Sequence, residues 1–340
     1  MQHGNVVRTL PQRKTGVLLL SRGDVERLLT PDACIAAVEE AFRELGGGKV
    51  PAPGILGLRV QEGSFHVKAA QLTLDRPYFA AKINANFPDN GARYWLPTIQ
   101  GAVILFDAAN GVPLAIMDSI SITALRTAAA TAVAAKYLAR DRCETALICG
   151  CGRQARAQLD ALLQVRALAR VYAYDQDAEK ARAFAGALEA EIAVQVSPVT
   201  DLPQAVAASD IVITCTSARR YFITREMVRP GTFIAAIGAD SENKQEIDPR
   251  LMAEATVVTD LTEQACAIGD LHHAIEAGVM SRDAVHAELG EIVAGRKPGR
   301  TRADEITVFD STGTGLQDVA AAIAAYRRAV EEQAGVVFSL

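Results

Sequence analysis

The sequence predicts an α/β protein built around a doubly wound parallel sheet, with a second sheet ahead of it in the chain. Three observations lead there. From residue 146 onward, short apolar strands at 146–149, 171–174, 211–216, 233–237 and 256–259 alternate with helical stretches such as 153–164 and 178–188. From Gly63 to Met117, short runs instead alternate apolar and polar residues between turn signals such as Asp89-Asn90-Gly91 and Asn110-Gly111, which is a sheet pattern. A length of 340 residues exceeds one small core and fits two domains.

The first helix opens at Thr30, a residue suited to cap it, with Pro31 at the first helical position and Asp32 set against the dipole. Gly46-Gly47-Gly48 ends it. Strands are expected near 65–70, 78–84, 100–107 and 113–117. Ile122-Thr123-Ala124-Leu125-Arg126-Thr127 and the alanine-rich run to Arg140 then form a strong helix whose small residues suit close packing between domains. A last strand at 305–309 leads through Asp310-Ser311-Thr312-Gly313-Thr314-Gly315 into a final helix over about 318–333. Neither an internal repeat nor a low-complexity linker interrupts the pattern.

Half the residues are apolar and 22% are charged, as in a globular chain with a sizeable core. The net charge of −5, with both signs interspersed, offers no cationic field for nucleic acid or anionic lipid, so neither is expected as a partner. The basic opening, MQHGNVVRTLPQRKTG, is followed by the run Val17-Leu18-Leu19-Leu20, too short for a signal-peptide core, and no stretch is long enough to span a bilayer. Six scattered cysteines without a C-x-x-C pair fit a reduced, cytoplasmic compartment. No metal site is expected: Cys149-x-Cys151 lacks further ligands, and His272-His273, adjacent on a helix, should point apart as ordinary surface.

Gly150-Cys151-Gly152-Arg153-Gln154-Ala155 directly follows a buried strand and opens a helix. Bare backbone at Gly150 and Gly152 lets a pyrophosphate approach the helix N-terminus, with Arg153 and Gln154 beside it, as in a Rossmann-type dinucleotide-binding domain. Asp175 stands 25 residues after Gly150, at the end of the next strand. There a carboxylate accepts hydrogen bonds from the adenine ribose hydroxyls and repels a 2′-phosphate. Gln176-Asp177-Ala178 brings no arginine for such a phosphate, so the expected cofactor is NAD.

With Lys82, the Arg126 segment, this glycine motif, Ile237-Gly238-Ala239-Asp240 and Phe309-Asp310-Ser311-Thr312-Gly313 in that order, the chain resembles the ornithine cyclodeaminase/mu-crystallin family over about residues 20 to 335. The resemblance implies a discontinuous α+β substrate and dimerisation domain of residues 1–124 with 313–340, flanking a Rossmann-type NAD domain of residues 125–312. It also implies a homodimer or larger homo-oligomer acting on a small amino or imino acid.

Moving a hydride to or from the α-carbon of an amino acid requires a cation for the carboxylate and a group that handles the nitrogen's proton. Lys82 lies on an expected strand between Ala80-Ala81 and Ile83, where a charged head implies a partner or a task. The resemblance places it at the substrate carboxylate or as proton donor. Arg126 carries a planar fork that grips carboxylate or phosphate bidentately, and the resemblance puts it at both substrate and cofactor. Asp240 follows an apolar strand and the flexible Gly238, at the carboxyl end where such sheets bind ligands, and is the first choice for catalysis. Lys244, four residues on, can pair with a nearby carboxylate and is counted among the cofactor-binding residues. The resemblance adds Thr98, Thr216, Ile237, Ser311 and Thr312 near the cofactor and substrate.

Two departures bear on substrate. Where the family often has Pro-Arg, this chain reads Pro53-Gly54, and a Met-Pro pair further on is replaced by Lys68-Ala69. Lys68 is therefore a substitute substrate-binding cation, with Arg59 and His66 as weaker candidates. Three cations, Lys68, Lys82 and Arg126, exceed one α-carboxylate and point to a dicarboxylic substrate such as iminosuccinate. The leading expectation is an NAD-dependent imino-acid reductase or amino-acid dehydrogenase. A cyclodeaminase, whose hydride returns with no net cofactor change, and a crystallin-like small-ligand binder are the alternatives.

Overall fold

The computed structural model describes residues 16–189 and 191–339. The basic opening at 1–15, and that part of the expected first domain, lie outside the described residues. The chain begins with β1 (Val17–Leu20) and α1 (Arg22–Leu28), whose cap Ser21 exchanges hydrogen bonds with Asp24. In α2 (Pro31–Gly46) Pro31 holds the first turn, but Thr30 makes no side-chain cap bond, contrary to expectation. Pro31, preset for the helix, and Asp32 against the dipole carry that end.

Five strands follow: β2 (Gly54–Val60), β3 (Gly63–Thr73), β4 (Pro77–Asn86), β5 (Ile99–Asp107) and β6 (Pro113–Asp118), with the short α3 (Asn90–Tyr94) between β4 and β5. Consecutive strands pair antiparallel, and β1 pairs parallel with β6. The edge strand β2 is exposed along its length. α4 (Ser119–Leu138) starts where the Asp118 carboxylate accepts from the Ile120 and Ser121 amides, and its small residues let it be buried nearly throughout.

The second half contains β7 (Thr145–Cys149), α5 (Arg153–Leu163), β8 (Arg170–Tyr174), α6 (Ala178–Leu188), β9 (Gln195–Pro198), α7 (Leu202–Ala208) and β10 (Ile211–Thr214). Then come β11 (Arg219–Ile223), β12 (Phe233–Ala236), β13 (Gln245–Ile247), α8 (Pro249–Glu254), β14 (Thr256–Thr259), α9 (Thr262–Ile268) and α10 (Asp270–Glu276). The chain closes with β15 (Ala287–Glu288), α11 (Leu289–Val293), β16 (Thr307–Asp310), α12 (Gly315–Glu332) and β17 (Val336–Phe338). Eight strands form one parallel sheet in the order β15-β14-β16-β12-β10-β7-β8-β9, the doubly wound α/β arrangement anticipated from the strand–helix alternation. Strand order reverses at β7, so a crevice opens between the carboxyl ends of β7 and β10.

From β16 the chain leaves this sheet and returns to the first one. α12 packs across β3, β4 and α2, and β17 adds antiparallel to β1. At Gly315 a Cβ would sit 2.6 Å from the Ala69 carbonyl oxygen, so only glycine lets the helix start press onto β3. No helix among the described residues is long and apolar enough to cross a membrane.

Candidate active site

Register on the first sheet sets Lys68 of β3 directly opposite Lys82 of β4, and both point inward under α12. Like charges so placed repel, and burial strips them of water. The first turn of α12 answers with Asp318. Its Oδ1 lies 2.9 Å from Lys82 Nζ and 2.9 Å from Arg126 Nε, with all three side chains at most 5% exposed. Arg126 Nη1 also donates to Gln317 Oε1 at 2.7 Å. Lys68 Nζ donates to the carbonyl oxygens of Thr312 (3.0 Å) and Gly313 (2.6 Å).

Burial, then the Arg126 charge, brings Lys82 down to about 7 despite Asp318. The same two causes lower Lys68. Burial works to raise Asp318, but Lys82 and Arg126 hold it below the ordinary carboxylate range. Gly313 completes the cluster: at φ +71° its ideal Cβ would lie 2.4 Å from Arg126 Nη1, so a side chain there would displace the guanidinium.

Across from this cluster, the loop after β12 carries Asp240. Its Oδ1 pairs with Lys244 Nζ at 2.6 Å, as the four-residue spacing suggested. Burial alone would raise the Asp240 carboxyl, and Lys244, with help from Lys68 and His66, instead keeps it below its usual range. Gly238 is closely packed on two sides. Its amide donates to Glu246 Oε2 at 2.8 Å, and a Cβ there would stand 2.4 Å from both Glu246 Oε1 and the Thr216 oxygen. Buried Glu246, which the sequence reading passed over, thus braces the loop that presents Asp240.

At the sheet's crevice, Gly150 adopts φ +95° and lies so close to the Cys215-Thr216 turn that a Cβ would approach both residues at 2.9 Å. Gly152 caps α5 without a side chain and faces open space. The Asp175 carboxylate accepts from the Cys151 amide at 2.8 Å and the Asp177 amide at 2.9 Å, fixing it over this turn. A bare helix N-terminus beside an anchored carboxylate at a strand end fits the diphosphate and ribose of a dinucleotide.

A cleft of about 1040 Å³ joins these parts. Lys68, Lys82 and Arg126 line it together with Asp240 and Lys244, and Thr98, Arg153 and Gln154 line it as well. His66 and Arg59 face it too. Thr216, Ile237, Ser311 and Thr312 do not line it, nor do Gly150, Gly152 and Asp175 of the adjoining turn. Their bonds show why. The Thr216 hydroxyl donates to Glu246 at 2.6 Å, Ile237 is buried, and the Ser311 and Thr312 hydroxyls both donate to Asp260. Instead of a hydroxyl contact, Thr312 supplies the carbonyl that holds Lys68.

Asp318, like Glu246, carries no mark of its role in the sequence. An acid in the first turn of a helix reads as ordinary dipole compensation, and only the return of α12 to the first sheet gives it another meaning. The expectation that His272 and His273 point apart also fails: their rings meet edge to face with centroids 5.1 Å apart. Both rings lean toward Glu276, one turn on.

The sequence profile of the ornithine cyclodeaminase/mu-crystallin family matches residues 16–333. Among solved structures, the chain is similar to an archaeal alanine dehydrogenase dimer with bound NAD, at 37% identity and a TM-score of 0.90 over 95% of this chain and 99% of that one. It is similar to the iminosuccinate reductase of Paracoccus denitrificans in complex with NAD+, at 31% identity and a TM-score of 0.89 over 96% and 100%. The Thermococcus litoralis Delta(1)-pyrroline-2-carboxylate reductase in complex with NADH and L-proline matches at 35% identity and a TM-score of 0.88 over 94% and 99%.

Proposed function

Because the chain belongs to the ornithine cyclodeaminase/mu-crystallin family, we propose that its cleft transfers a hydride between NADH and the α-carbon of a small imino acid, yielding the amino acid. The enzyme is an NAD-dependent oxidoreductase of amino and imino acids. The observation that carries the finer reading is the buried Lys82–Asp318–Arg126 cluster facing Asp240 across one cleft.

When bound, NADH supplies the hydride. Gly150, Gly152 and the start of α5 would hold its diphosphate, Asp175 would take the adenine ribose, and Thr98, Arg153 and Gln154 would lie beside it. Arg126 and the remaining donor of Lys68 grip the substrate α-carboxylate. Lys82, poised near 7, passes a proton from Nζ to the imine nitrogen, and ionised Asp240 balances the positive charge that develops there. In the oxidative direction neutral Lys82 takes that proton back.

Asp318 matches one of the three cations and leaves two, one more than a single α-carboxylate needs while Lys82 is protonated. A dicarboxylic substrate such as iminosuccinate is the second reading, favoured by that surplus cation; on the same wall Arg59 is already paired with Glu242. A cyclodeaminase would need to seat a distal ammonium among these cations, an unfavourable arrangement. Supplying NADH with iminosuccinate, with pyruvate plus ammonia, and with a cyclic imine tests the proposal, which requires net NADH oxidation by at least one.

We also propose a homodimer closed through the outer face of the first sheet. Phe65, Phe79 and Ile83 there are 36%, 36% and 42% exposed, an apolar patch of the kind that covers itself by pairing. Sedimentation of the Phe79→Lys variant as a monomer would bear this out, and an unchanged oligomer would refute it.

A further inference from the structure

His272 and His273 lie on α10, outside the cleft, and each has one ring nitrogen committed to a backbone carbonyl. His272 Nδ1 lies 3.1 Å from the Cys266 oxygen, and His273 Nε2 lies 2.9 Å from the Lys244 oxygen. A carbonyl only accepts, so those two nitrogens carry the protons, and the lone pairs are left on His272 Nε2 and His273 Nδ1. These are the two nitrogens that face the Glu276 carboxylate, at 4.0 and 3.9 Å from Oε2. All three atoms lie within 4.8 Å of one another.

We propose that His272 Nε2, His273 Nδ1 and the Glu276 carboxylate form a site for a divalent cation of borderline softness, with zinc the best match. Two neutral imidazoles and one carboxylate, with further positions open to water, are a donor set that zinc takes. The far nitrogen of each ring donating to a carbonyl is the arrangement that orients metal-bound histidines and fixes their tautomer. Bonds of about 2 Å in a tetrahedron place ligand atoms a little over 3 Å apart. Glu276 is 71% exposed, so its carboxylate has room to turn toward an ion held by the two rings.

The position gives the site a consequence. A cation on His273 Nδ1 makes Nε2–H a stronger donor to the Lys244 carbonyl. Lys244 is the residue whose ammonium holds Asp240. Metal binding thus steadies the loop that presents the carboxylate of the cleft.

The test is calorimetric titration of the metal-free, full-length enzyme with Zn2+ alone, repeated on Glu276→Gln and His272→Asn. Both substitutions fall on partly or largely exposed side chains, and the melting temperature without metal checks that they fold. The expected result is one Zn2+ per chain in the wild type, with affinity at least tenfold weaker in each variant. Absence of stoichiometric binding, or equal binding by wild type and variants, overturns the proposal. Co2+ gives an independent optical reading: its visible d–d absorption should appear with the wild type and vanish with Glu276→Gln, and its persistence there would count against the site.

Discussion

Lys82 Nζ and Asp318 Oδ1 are 2.9 Å apart, with the lysine 4% and the aspartate 1% exposed, and Arg126 shares the same carboxylate oxygen. Two cations around one buried anion is an unbalanced arrangement. The imbalance lowers the proton affinity of Lys82 to about 7, where a lysine can both give and take a proton at neutral pH.

The pH dependence follows in sign. Reduction uses protonated Lys82, so its kcat should fall as pH rises through about 7, and oxidation of the amino acid should rise over the same range. Lys82→Arg, which stays protonated, should abolish both inflections and lower the rate by about 10²-fold or more. Stability rises with pH by linkage. Between about 7 and the ordinary 10.5 the unfolded chain holds a proton on this residue that the folded chain does not, so its contribution to stability grows with pH across that window. Rate profiles in both directions, with denaturant unfolding at several pH values, measure each part.

Asp318→Asn should destabilise the fold by about 3–5 kcal/mol, because it leaves Lys68, Lys82 and Arg126 buried with no anion among them. In the fraction that folds, the kinetic inflection should shift below 7. A merely structural Asp318 would cost stability and leave the inflection in place.

Asp240→Asn keeps the shape and removes the charge. It should cost about 10²–10³-fold in kcat while the dissociation constant for NADH, read from its fluorescence, stays unchanged. A variant with full activity would remove Asp240 from the chemistry.

Asp175→Ser should weaken NADH by about tenfold or more, since hydrogen bonds to a charged group contribute about 1.5–3 kcal/mol. NADPH, relieved of repulsion, should weaken less or gain. Comparing the two dissociation constants in both proteins checks this.

Much of this site was legible before the structure. Lys82 stood out as a charge among alanines, Lys68 as a lysine where the family has an apolar residue, and the glycine turn with Asp175 followed from its place between strand and helix. The strands at the edges of the first sheet were not legible. β2 reads Gly-Ile-Leu-Gly-Leu-Arg-Val, with no alternation, because both of its faces are exposed. β17 is three residues long. Asp318 and Glu246 escaped for a different reason: each acts through a contact formed only when distant segments meet, α12 against β4 in one case and β13 against the end of β10 in the other. The hydroxyls of Thr216, Ser311 and Thr312 carry the converse lesson. Their place in a motif suggests ligand contact, and the structure adds that buried carboxylates take the protons of all three, leaving the hydroxyl oxygens as acceptors.

The most direct measurement of the central claim is NADH oxidation by the purified enzyme presented with iminosuccinate, with pyruvate and ammonia, and with a cyclic imino acid, alongside Lys82→Arg. Stoichiometric conversion of NADH and one imine to NAD and an amino acid, strongly impaired in the variant, is the predicted result. No net change in NADH with any of the three, accompanied by ammonia release from ornithine or lysine, would contradict it.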